Sequence, residues 1–173
     1  TRKMMKNTIK VFVLVALTLA AMSVSAQVKL GHIETQKLIQ AMPEWTAAQK
    51  TFEEEQKKVN TELNSLREQF QTKLAEYSEK MKTYSEAMRA TTEEELQGLQ
   101  QRIQRFQETA MAQLEKTQND LMQPVMEKAL NAIKEVGKEN GFTYIFDMNA
   151  GILYAAENSQ DVLPLVKKKL GLQ

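Results

Sequence analysis

The chain holds one histidine, His32, and no cysteine. Imidazole and thiolate are the side chains best suited to proton transfer and nucleophilic attack near neutral pH. Such chemistry would therefore rest on His32 alone, in the short strand-like stretch "VKLGHIE". A lone histidine in a short strand reads first as a surface or hydrogen-bonded residue. One histidine among scattered carboxylates makes no metal-ligand set, and no Gly-rich loop precedes Lys-Ser or Lys-Thr to cradle a phosphate. The acid run Glu93, Glu94 and Glu95 reads as helix capping and solvation. Lys167, Lys168 and Lys169 read as the positive complement of a helix C-terminus. No enzyme activity, cofactor or metal is expected. Binding chemistry remains, carried by large apolar side chains that recur three or four apart. Leu66, Phe70, Leu74, Tyr77, Met81, Tyr84 and Met88 form one such stripe. Leu96, Leu99, Ile103, Phe106, Ala110, Leu114, Leu121 and Val125 form a second.

Stripes of that period belong to long amphipathic helices. Pro43 suits the first turn of one helix, which the pattern carries to about Arg89. Thr91 with Glu94, or Thr92 with Glu95, fits a capping box and predicts a second helix after a tip near 90–92. Pairing the stripes in reverse order about that tip sets Met88 on Leu96, Tyr77 on Phe106, Leu74 on Ala110 and Phe70 on Leu114. The residue numbers in every pair add to 183 or 184. Each stripe has a four–four step at the same level, which would keep both in one seam. The expectation is an antiparallel coiled-coil arm over residues 45–122. A two-helix seam leaves its rim uncovered. Tyr77, Met81, Tyr84 and Met88 on the first helix, with Leu96 and Leu99 opposite, are the candidates for touching another molecule.

Residues 27–44 and 123–173 would form a small α+β body. Val28–Glu34 reads as a strand and "TQKLIQAM" as a short helix. Pro124 should kink the second long helix rather than end it, and Gly141 should stop it. "TYIFDM" and "ILYAAE" around "NAG" read as a β-hairpin. "SQDVLPLVKKKLG" reads as a closing helix, capped by Ser159 or Asp161. A body this small buries little by itself, and its short strands have free edges. It is therefore expected to oligomerise through Leu30, Ile33, Tyr144, Ile145, Phe146, Ile152 and Leu153. The fold class is mainly α with a small β body.

The N-terminus carries Arg2, Lys3, Lys6 and Lys10, an apolar run from Val11 to Met22, and small residues before Gln27. That is the grammar of a secretory signal peptide over residues 1–26, cut between Ala26 and Gln27. The run is too short for a membrane span, which needs about 20 apolar residues. With the leader removed, 23 basic and 22 acidic groups become 19 and 22, net −3. That balance argues against a nucleic-acid partner.

"KLGHIETQKLIQAMPEWTAAQ", "KENGFTYIFDMNAGILYA" and "DVLPLVKKKLG" resemble the Skp/OmpH family of periplasmic chaperones, at both ends of the expected hairpin. The resemblance implies a homotrimer whose strands share a body and whose three arms enclose a cavity. It implies ATP-independent holding of unfolded outer-membrane β-barrel proteins in the periplasm. One departure stands out. The best-known members are strongly basic, whereas residues 45–122 here hold 11 basic and 14 acidic groups. This weakens the case for lipopolysaccharide or membrane-surface contact. The alternative function is a structural coiled-coil adaptor joining folded envelope components.

Overall fold

A computed structural model describes residues 28–156 and 159–172. The expected leader, residues 1–26, lies outside the described residues. The elements run β1 (Leu30–Ile33), α1 (Thr35–Gln40), α2 (Pro43–Lys80), α3 (Glu86–Glu139), β2 (Tyr144–Asp147), β3 (Gln160–Asp161) and α4 (Leu163–Lys169). The chain is mainly helical with one small sheet.

Pro43 occupies the first turn of α2, where its missing N–H costs nothing. Helix α3 continues through Pro124 and ends before Gly141, whose φ of +67° is the left-handed conformation glycine adopts freely. In α4 the three lysines Lys167, Lys168 and Lys169 fill the last turn. Lys169 also reaches back to Glu135 and Glu139 on α3, tying the closing helix down.

The sheet order is β2-β1-β3, with β1 parallel to both neighbours. One side of it meets a core of Ile33, Leu38, Met42, Val125, Ala129, Ala132, Val136, Val162 and Val166. The four α3 members recur every three or four residues and so lie on one face of that helix. Gly31 is required here: a Cβ would stand 2.9 Å from both the Phe142 ring and Val162.

The expected β-hairpin is not formed. Strand β2 pairs with β1, and residues 152–156 join no strand. After β2 the chain turns at Asp147. Its Oδ1 accepts from the Asn149 N–H at 3.0 Å and the Thr35 N–H at 3.3 Å, a local turn that also ties the strand end to α1. The third strand is instead Gln160–Asp161, two polar residues with no readable alternation. Neither Ser159 nor Asp161 is the N-cap of α4, which is Val162, although Asp161 Oδ1 does accept from the Leu163 N–H at 2.9 Å.

The long helices α2 and α3 lie side by side. Glu44 pairs with Lys128, Lys73 with Glu95, and Tyr77 with Glu93. The partner's number falls as the first rises, so the two helices run in opposite directions. The chain turns at residues 81–85, not near 90–92, which lie inside α3. Ser85 is the N-cap, its Oγ accepting from the Met88 N–H at 3.3 Å. Thr92 does not cap; its hydroxyl donates to the Met88 carbonyl within the helix.

This turn overturns the expected register. Tyr77 meets Glu93 at a level where Phe106 was expected, and Lys73 meets Glu95 where the Ala110 level was expected. The displacement is about two heptads, so the seven-residue period of the seam is kept while the four–four steps of the two stripes no longer share a level. Phe70 and Leu114 therefore stand at different levels. Their alanine substitutions should add within about 0.5 kcal/mol in denaturant unfolding, as separated sites do. A clear departure from additivity would restore the longer register.

Candidate functional site

Among the described residues, no three His, Cys, Asp or Glu side chains lie close enough to hold a metal ion. No helix among them is long and apolar enough to cross a membrane. His32 Nδ1 lies 2.8 Å from Ser159 Oγ, so its ring is a hydrogen-bonded strand residue. Two apolar surfaces remain, one on the sheet and one on the long helices.

The sheet surface follows from strand alternation. In the parallel register Leu30 stands opposite Tyr144, and His32 opposite Phe146. These four share one face. Gly31, Ile33 and Ile145 point the other way, into the core. The outer face is open: Leu30 is 48% exposed, Tyr144 60% and Phe146 42%. The Tyr144 and Phe146 rings stack with centroids 6.0 Å apart. Leu153 and Tyr154, in the stretch without a ladder, are exposed as well. This divides the seven residues expected to join copies. Ile33 is fully buried and Ile145 packs on the core, so both serve the single chain's fold. Leu30, Tyr144, Phe146 and Leu153 are exposed, and Ile152 is half-buried.

On the long helices the seam buries few residues completely: Ala48, Leu66, Leu96 and Ala110. Leu63, Phe70, Leu99, Ile103, Phe106 and Leu114 stay half-buried, as a two-helix layer must leave them. Leu96 is therefore a seam residue, buried between the two helices. Of the four contact candidates placed on the first helix, only Tyr77 lies in α2. Met81 and Tyr84 lie in the turn, and Met88 begins α3. Tyr77 holds the turn together. Its hydroxyl donates to the Glu93 carboxylate, which raises the Tyr77 pKa above the ordinary phenol value. Its ring also lies against Tyr84, centroids 6.3 Å apart. Met81 and Met88 are exposed, at 40% and 52%.

On the long helices, four exposed residues lie outside the expected contact set: Leu74, Met111, Met126 and Leu130. Leu74 had been assigned to the seam, and the other three lie off the stripe. The signal available was Met111 itself, an apolar residue next to a seam alanine with no role in the seam.

The family model "Outer membrane protein (OmpH-like)" matches residues 29–170. No curated protein matches. Among solved structures, the chain is similar to a candidate outer membrane chaperone (OmpH-like) from Caulobacter crescentus, with a TM-score of 0.74 and 16% identity. That match covers 84% of this chain and 85% of the other. At this identity the likeness concerns the fold.

Proposed function

The chain belongs to the OmpH-like outer membrane protein family, and from that premise we propose that it is an ATP-independent holdase of the periplasm. It keeps unfolded outer-membrane β-barrel proteins from aggregating by enclosing them between helical arms. Each arm is the α2–α3 hairpin with its tip at residues 81–85. The body, residues 27–44 and 123–173, joins copies, most simply three, through the open sheet face and the unpaired stretch 152–156. The leader at 1–26 is removed on export.

The exposure of methionine and leucine along the arm carries this reading. Leu74, Met81, Met88 and Met111 are all at least 40% exposed, on an arm whose seam is already filled by other residues. An unfolded β-barrel chain presents many apolar side chains in no fixed shape. Flexible, polarisable methionines can adapt to such a surface. Several arms around one client would add avidity to weak contacts. Tyr77, with its hydroxyl and ring engaged at the tip, supports the arm rather than the client.

The protein should suppress light scattering by an unfolded outer-membrane protein diluted from denaturant, without ATP. The arm's 11 basic and 14 acidic groups offer little pull on an acidic client. Affinity should therefore change less than about tenfold between low and high salt. No suppression would overturn the holdase reading. A loss of about a hundredfold in salt would show that a local basic patch dominates.

A further inference from the structure

We propose that Met81, Met88 and Met111 form an oxidation site: peroxide converts them to sulfoxides, and the arm then releases its client while fold and assembly persist. This rests on the reading that these side chains meet the client. The chain has no cysteine, so methionine carries all of its sulfur. Among the described residues the methionines divide by place. Met42 is 1% exposed in the body core, and Met122 packs against that core. Met148, just after β2, is half-buried. Met81, Met88 and Met111 stand open on the arm, Met111 at 74%. Met126 is open as well, nearer the body. The seam is built from other residues: its fully buried members Ala48, Leu66, Leu96 and Ala110 hold no sulfur. At the tip, the Ser85 cap uses the backbone N–H of Met88 and not its side chain. An oxidant in solution therefore reaches the outer surface of the arm before the contacts that hold the chain folded.

The chemistry is oxygen transfer from a peroxide. The thioether lone pair attacks one oxygen of hydrogen peroxide, and the S–O bond forms as the O–O bond breaks. The proton of the transferred oxygen passes to the departing hydroxide, which leaves as water. Sulfur gives up two electrons and the peroxide accepts them. A flexible apolar side chain becomes a polar, chiral one. On the free arm the new S=O faces water, so it costs the fold little. Under an apolar client it must give up that water without gaining a partner. Oxidation therefore weakens holding and not folding. The step is reversible: in a sulfoxide reductase a dithiol supplies two electrons and two protons, closes to a disulfide, and the oxygen departs as water.

The test treats the full protein, purified from the cell envelope, with hydrogen peroxide, and removes the peroxide before an unfolded outer-membrane protein is added. Peptide mass spectrometry should find oxygen on Met81, Met88 and Met111 before Met42. The concentration of protein that halves client light scattering should then rise at least about tenfold. The thermal midpoint and sedimentation should not change. Sulfoxide reductases for both epimers, with dithiothreitol, should restore holding. In the triple variant Met81→Leu, Met88→Leu and Met111→Leu, peroxide should leave holding unchanged, because leucine is apolar and has no sulfur. Glutamine at the same three positions should impair holding without peroxide. Undiminished holding by protein oxidised at all three sites, an equal peroxide loss in the leucine variant, full holding by the glutamine variant, or a fall in thermal midpoint on oxidation would each overturn the proposal. Untreated protein that holds no client would instead overturn the reading on which it rests.

Discussion

Tyr144→Asp combined with Phe146→Asp should separate the assembly into folded single chains. The two rings stack on each other but stand 60% and 42% exposed, so the single chain gains little from them. If copies bury this face, each ring contributes roughly 1.5–3 kcal/mol of apolar burial per chain. The substitution removes that contribution and sets carboxylates where water would be excluded. The concentration for half-assembly should rise at least about a hundredfold, on the order of 3 kcal/mol. Helical circular dichroism and the thermal midpoint should change little, because no core residue is altered. Sedimentation with parallel melting curves separates the two effects. Retained assembly would place the joint between copies elsewhere. Loss of fold would mean that the outer face contributes to the body after all.

Shortening the arm should have the opposite signature, with assembly kept and client protection lost. Two deletions, Asn60–Lys73 and Leu96–Thr109, remove two heptads from each long helix. They fall at one level, because Lys73 pairs with Glu95. The apolar period and the turn at residues 81–85 survive. The arm loses roughly 21 Å at 1.5 Å rise per residue. The body core, drawn from residues 33–42 and 125–166, is untouched. Enclosure needs reach, so suppression of client aggregation should fall at least about tenfold, while sedimentation still reports the full assembly. A shortened protein that sediments as single chains would show that the arms hold the copies together. One that protects clients as well as the intact protein would place client contact nearer the body, where Met126 and Leu130 are exposed.

Much of this architecture is legible in local chemistry. Pro43 marks the start of α2, Gly141 follows the end of α3, and the three lysines complete α4, because each acts on backbone within one turn of itself. The apolar stripes are legible too, since amphipathic period is a property of the chain alone. Register is different. A stripe that repeats nearly every seven residues pairs almost as well after sliding by heptads, and one four–four step in each stripe was too weak a mark to choose among alignments. The turn chooses, and Met81 and Tyr84 hid the turn by continuing the stripe through it. Ser85, with Glu86 after it, was the local signal for the helix start, outweighed by a better-looking capping pattern at Thr91 and Thr92. Strand partnership is likewise non-local. "ILYAAE" has the composition of a strand, but the place beside β1 goes to Gln160–Asp161, which the packing of Val162 and Val166 carries into position. Alternation within "LGHI" and "YIFD" separates two faces. Only the packing of α3 and α4 against one of them decides that Ile33 and Ile145 turn inward, while Leu30, His32, Tyr144 and Phe146 remain outside.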